Sequence, residues 1–189
     1  YKLGEYMGLV SPKTNLVQLI QNNESHGILI LVEQIEELTL RRTGLMPGDI
    51  YRGEMIGKDR FKDSAFSTLF ETTVLWDKVA VNNHYPESNM SPLKQMIGLI
   101  NNNYSDESQK KLSELMDLGA WGNFCLFESL AQSRHFSKSH NWRIYYDPWR
   151  QKLVPIVWDP VGWTRRGVHA FLKDRQLATE IIQHALHDV

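Results

Sequence analysis

His140-Asn141-Trp142-Arg143-Ile144-Tyr145-Tyr146-Asp147-Pro148, followed by the return run Leu153-Val154-Pro155-Ile156-Val157-Trp158-Asp159, decides the architecture of this 189-residue chain. Trp142 to Tyr146 alternates as a strand does, Asp147-Pro148-Trp149-Arg150 carries turn chemistry, and Leu153 to Trp158 is apolar enough to return beside it. The reading is a β-hairpin over residues 142–158. A hairpin brings its two ends together, so Asn141 and Asp159 are expected at one site. Both offer hard oxygen donors of the kind magnesium prefers. The same residues have plainer uses, because an Asn before a strand forms turns and an Asp before Pro160 caps loops.

Upstream of the hairpin the apolar period is helical from about residue 60. Ser91-Pro92 matches an N-cap and first-turn pair ahead of Leu93, Met96, Ile97 and Ile100. Ser105-Asp106-Glu107 opens a second helix with Leu112, Leu115 and Met116 on one face. Trp121 to Gln132 is a third, so continuously apolar that burial on most sides is expected. Downstream, Ala170 to Leu186 has helical character. The first sixty residues look β-rich. Asn15 to Ile20 and Gly27 to Val32 flank the polar turn Asn22-Asn23-Glu24-Ser25, and Ile50-Tyr51-Arg52 follows the turn Met46-Pro47-Gly48-Asp49. Gly27 to Val32 is apolar on both faces, which predicts a central or covered strand. Strands, helices, a hairpin and a helix, without repeat or linker, predict one α+β domain over 1–189. It has two unequal lobes, a β-rich part over 1–60 and a helical part over 61–189.

Composition narrows the function classes. Hydrophobic residues make up 42% and charged residues 23% of the chain, and the formal net charge is -1. That balance argues against a broad nucleic-acid footprint, and no apolar run is long enough to span a bilayer. The single cysteine, Cys125, excludes an internal disulfide and a cysteine zinc site, and its apolar surroundings suggest inert core. Arg41-Arg42 and Arg165-Arg166 are basic pairs whose default is solvation. No HExxH, Gly-x-Ser-x-Gly or Walker spacing occurs.

Four segments in order resemble the CotH kinase-like family. They are the turn, glycine and strand of Asn22 to Val32 with Glu33-Gln34, then Pro47-Gly48-Asp49-Ile50-Tyr51-Arg52, His140-Asn141-x-x-x-Tyr145-Tyr146-Asp147-Pro148, and Ile156-Val157-Trp158-Asp159. The resemblance implies a two-lobed kinase-like fold that uses ATP and Mg2+. It implies an atypical protein kinase of spore coats, cell surfaces or secreted proteins. The implied partners are a nucleotide and a protein substrate or a coat or surface protein. By the same resemblance Val32, Glu33 and Gln34 form a hinge-like stretch beside adenine, His140 joins the nucleotide-binding residues, and Asn141 and Asp159 hold the metal. Glu33 has a second reading, as an ion-paired cap of its strand.

The pattern also departs from the family. A kinase catalytic Asp precedes the metal-binding Asn by five positions, and Phe136 stands there, with no carboxylate between Glu128 and Asp147. His135 is the substitute base the sequence offers, a loop histidine being the alternative. Val161 follows Trp158-Asp159-Pro160 where the family often carries a second Asp. The phosphate-gripping lysine normally lies upstream, so a segment before Tyr1 is expected. These departures keep a second expectation open, a catalytically inactive surface or coat interaction module.

Overall fold

The 142–158 hairpin supplies two strands, one central and one at the edge, of a four-stranded antiparallel sheet. This computed structural model describes residues 1–55, 66, 68–80, 89–102, 105–133, 136 and 140–160. The expected helix over 170–186, together with Val161, Arg165-Arg166 and His135, lies outside them. Strand β5, Trp142–Asp147, pairs with β6, Lys152–Pro155, in the register Ile144↔Pro155 to Asp147↔Lys152. On its other side β5 pairs with β3, Ile50–Gly53, from Ile50↔Tyr145 to Gly53↔Trp142. Strand β4, Trp76–Ala80, closes the order β4-β3-β5-β6. The return strand is shorter than the sequence predicts. Its ladder ends at Pro155, which has no N–H to contribute. Ile156 N–H still donates to the Arg143 carbonyl at 2.9 Å, and Val157 N–H then turns to Val10 O, also at 2.9 Å.

A separate two-stranded sheet joins β1, Thr14–Gln21, to β2, Glu24–Val32. Asn22 and Asn23 make the turn with φ of 53° and 64°, the left-handed pair that a two-residue hairpin loop requires. The expectation of a covered β2 does not hold. Among the described residues β2 is paired along one edge only, by β1, and both faces meet solvent, with apolar exposures from 46% at Leu29 to 74% at Ile28. An apolar run on both faces cannot by itself distinguish a covered strand from one of this kind.

Two short helices, α1 (Lys2–Tyr6) and α2 (Glu37–Arg42), interrupt the β-rich part. The acidic run before α2 serves its start. Glu36 N–H bonds Thr39 Oγ1 at 3.4 Å, Glu37 lies in the first turn, and Arg41 and Arg42 lie in the last, as the helix dipole favours. Helix α3, Ser91–Asn101, begins one residue earlier than its sequence suggests. Met90 holds the cap position, and Ser91 is already helical, its N–H bonded to Asn89 Oδ1 at 3.1 Å. Helix α4, Asp106–Leu115, is capped by Ser105, whose hydroxyl accepts from Ser108 N–H at 3.2 Å. Helix α5, Leu118–Ala131, ends at Gln132 in the left-handed conformation. It is buried on one face rather than on most sides: Trp121, Phe124, Phe127, Glu128 and Ala131 point inward, whereas Leu126 and Leu130 are half exposed. Among the described residues no helix is long and apolar enough to cross a membrane.

The larger core is aromatic. Trp142 lies within 6.1 Å, ring centre to ring centre, of Phe70, Trp121, Phe124 and Phe136. The Trp121 indole N–H reaches Leu153 O at 2.9 Å and that of Trp76 reaches Leu69 O at 2.8 Å, so neither is buried unpaired. At the Ile50 end of the sheet, Lys78 Nζ meets Asp49 Oδ2 at 2.8 Å with both side chains almost fully buried. Breaking such a pair leaves a charge in a dry interior, whereas replacing both partners is tolerated. Lys78→Met is therefore expected to lose about 3–5 kcal/mol of unfolding free energy. The double variant Asp49→Leu with Lys78→Met should regain most of it, as measured by denaturant titration.

Candidate functional site

Asn141 and Asp159 flank the hairpin at the Trp142 end of the sheet, and both have left-handed backbone, φ 68° and 46°. Non-glycine residues pay for that conformation, and Asn and Asp are the types that tolerate it best. The ladder explains the placement. With Ile144 opposite Pro155 and Ile156 N–H on Arg143 O, the two chains leave the sheet side by side. Asp159 N–H then donates to the Tyr1 phenol oxygen at 2.9 Å, which ties the start of the chain to this end. Asn141 is buried and Asp159 half-buried.

Between these two residues runs a charged bracket that the sequence does not reveal. Arg143 Nη1 pairs with Glu54 Oε2 at 3.2 Å and also donates to Trp142 O at 2.9 Å. Its guanidinium lies 5.1 Å from the centre of the Trp158 ring. Burial pulls the Arg143 pKa down, while Glu54 and the charge of Asp159 act in the opposite direction. An arginine in that position stays charged. His140 Nδ1 stands 3.9 Å from Glu54 Oε1, an ion pair only when the imidazole is protonated. Burial raises the Tyr1 phenol pKa, and the Asp159 N–H bond partly counters it. Glu54, Arg143 and Tyr1 carry no motif: the β3–β5 register, Arg52↔Arg143 and Gly53↔Trp142, brings Glu54 to Arg143, and the Asp159 N–H bond brings Tyr1.

The donor chemistry fits a hard divalent cation. Asn141, Asp159 and the neighbouring Glu54 offer amide and carboxylate oxygens. Among the described residues no three His, Cys, Asp or Glu side chains are grouped for a metal. A cation would therefore lean on few protein oxygens and take the rest from phosphate and water, as Mg2+ does at phosphoryl-transfer sites.

The hinge-like residues lie elsewhere, at the base of the β1–β2 hairpin, and are already engaged. Val32 pairs with Thr14, and Glu33 N–H donates to Lys13 O at 2.9 Å. The Glu33 carboxylate accepts from Arg42 Nη2 at 2.7 Å and from Lys13 N–H at 2.8 Å. Burial opposes the Glu33 charge, but the bonds from Arg42 and Lys13 outweigh it and hold the carboxyl below its usual range. Gln34 O accepts from Thr39 Oγ1 at 3.2 Å. The strand-capping ion pair open in the sequence is thus present in the structure.

Phe136 is 3% exposed, with its ring 5.0 Å from Phe124 and 6.1 Å from Trp142. A side chain at this position joins the core instead of facing an acceptor. Eight residues upstream, in the last turn of α5, Glu128 is fully buried and neither carboxyl oxygen has a hydrogen-bond partner among the described residues. Burial alone pushes its pKa up to about 8. Its sequence context, one acid in an apolar helix, gives no hint of this.

The family model described as CotH kinase protein matches residues 1–183. No curated protein matches the chain.

Two outcomes follow from these buried positions. Phe136→Asp places a carboxylate among aromatic rings and removes a packed side chain, so it should cost more than about 4 kcal/mol and add no transfer activity to that of the intact chain. Thermal unfolding checks this. The Glu128 pKa is raised on folding, so its contribution is intact below the ordinary value of 4.5 and is lost as pH rises through about 8. Glu128→Gln should abolish that loss and stabilise the protein by up to about 3 kcal/mol at pH 7, read from denaturant titrations between pH 5 and 8.

Proposed function

Because the chain belongs to the CotH kinase family, we propose that the Asn141–Asp159 end of its sheet binds ATP with Mg2+ and that the domain transfers phosphate to serine or threonine of a protein. The observation that supports this most directly is the shared left-handed backbone of Asn141 and Asp159 at adjoining strand ends. Strained backbone of this kind concentrates at functional sites. The Asn141 amide oxygen and the Asp159 carboxylate would hold the cation, which when bound offsets phosphate charge. Glu54 and Arg143 brace this end, the Trp158 ring covers the guanidinium, and Tyr1 fixes the Asp159 backbone. His140 borders the same pocket of charge and is the nucleotide-facing residue in this reading. Val32, Glu33 and Gln34, the adenine-side residues by resemblance, would have only their remaining backbone atoms to offer, since the Glu33 carboxylate is held by Arg42, its N–H by Lys13 and the Gln34 carbonyl by Thr39. His135 is the candidate base. The family also suggests a spore-coat or cell-surface setting, with a coat or surface protein as acceptor.

A second reading has its own support. Phe136 belongs to the aromatic core, which favours a domain that binds nucleotide or a protein partner without turnover.

Calorimetric titration with ATP, with and without Mg2+, tests the proposal. Micromolar to millimolar binding that strengthens with Mg2+ is expected. Asp159→Ala should weaken the Mg2+-dependent part about tenfold or more, while leaving metal-free binding nearly unchanged. Absence of nucleotide binding by the intact chain would overturn the proposal. Binding without transfer of labelled phosphate to protein would select the second reading.

A further inference from the structure

The tip of the β1–β2 hairpin holds a feature that the candidate site does not use. Asn23-Glu24-Ser25 has asparagine, a residue other than proline, and then serine, the acceptor spacing for N-linked sugar. The chain carries this spacing twice more, at Asn89-Met90-Ser91 and Asn103-Tyr104-Ser105. Asn103 lies outside the described residues.

Geometry singles out Asn23. Every residue from Gln21 to Ile30 is exposed, Ser25 included. Asn23, with φ of 64°, forms the two-residue turn with Asn22, and its side-chain amide makes no hydrogen bond among the described residues. Asn89 differs on both counts. It is half-buried, and its Oδ1 accepts from Ser91 N–H at 3.1 Å at the start of α3. The length of β1 places the Asn23 turn roughly 25 Å from Thr14 and Val32 at the hairpin base, so a bulky group there clears the Glu33 ion pair.

The surroundings give such a group a physical use. Ile20 and Ile28, the isoleucines nearest the turn on each strand, are 60% and 74% exposed. A two-stranded hairpin with bare aliphatic side chains is a template for pairing with other chains. A hydrated, bulky substituent at its tip hinders that pairing.

We propose that Asn23 is an N-glycosylation site. The inference rests on the cell-surface setting proposed above, because this spacing is modified in secreted and surface proteins. In the reaction Asn23 Nδ2 bonds to the anomeric carbon of an oligosaccharide carried on a lipid diphosphate. The bond from that carbon to the diphosphate oxygen breaks, the lipid diphosphate leaves with the electron pair, and the amide nitrogen gives up one proton. Asn22 shares the turn and the exposure but has Glu24 two positions on, so it is no acceptor.

Mass spectrometry of the protein isolated from its own cells tests this. Fractionation first establishes where the protein resides, and peptide N-glycosidase in heavy-oxygen water then converts each glycosylated asparagine to labelled aspartate. Label at Asn23 and none at Asn22 is expected in the surface fraction. Ser25→Ala should abolish the label and Ser25→Thr should retain it, since threonine keeps the hydroxyl and suits a strand. Asn23→Gln should leave Mg2+-dependent ATP binding unchanged, which separates this result from the nucleotide reading. Surface-located protein without label at Asn23 would overturn the proposal and leave the surface setting standing. Unlabelled protein confined to the cytosol would overturn both. Label that persists in Ser25→Ala would also overturn it, because simple deamidation gives that result.

Discussion

The register of β5 is the constraint on which the rest of the structure depends. This strand is hydrogen-bonded along both edges and buried on both faces. One face of Trp142 packs into the aromatic core, and the next residue, Arg143, points to the charged bracket. A slip by one residue would exchange these two environments, placing a guanidinium among the rings and an indole against Glu54. The energetic gap against that alternative is large, because an unpaired buried charge and a lost aromatic contact would be incurred together. The same register sets Asn141 beside the chain that leads to Asp159, so the geometry of the candidate site is inherited from core packing.

The two ends of the hairpin are consequently different in kind. At the Asn141 end, partly buried charges are braced by Glu54, Arg143 and the Trp158 ring, in surroundings where electrostatic interactions are strong. At the turn end, Asp147 fixes a tight loop that presents Trp149 and Arg150 to solvent. A rigid sheet between them holds their separation constant. The CotH kinase family model covers both ends, matching residues 1–183.

Much of this was legible in the sequence where local chemistry is decisive. The α+β composition, the Asn22-Asn23 turn, the 142–158 hairpin and the Ser105 cap all follow from residue types with strong backbone preferences. Features that depend on distant pairing were not legible. β4 is a short strand whose identity comes from its neighbour β3, and α2 gains its first turn from a reciprocal Glu36–Thr39 contact in an acidic run. β2 has the apolar pattern of a covered strand, and exposure is a property of what lies next to it. Within the candidate site, Asn141 and Asp159 were found through a resemblance, whereas Glu54 and Arg143 reach it across 89 residues of chain and leave no local trace. Phe136 shows the limit of counting positions: its spacing from Asn141 matches a catalytic position, but its side chain is a core residue.

The central claim is that the β5 register assembles one cation-binding site from Asn141 and Asp159. Paramagnetic broadening of nuclear magnetic resonance signals by Mn2+ in the presence of ATP tests it most directly. The account predicts early and selective broadening of the Asn141 side-chain amide and the Asp159 backbone amide, with the Trp149 indole signal left sharp. Broadening that spares both residues, or that begins elsewhere on the molecule, would contradict it.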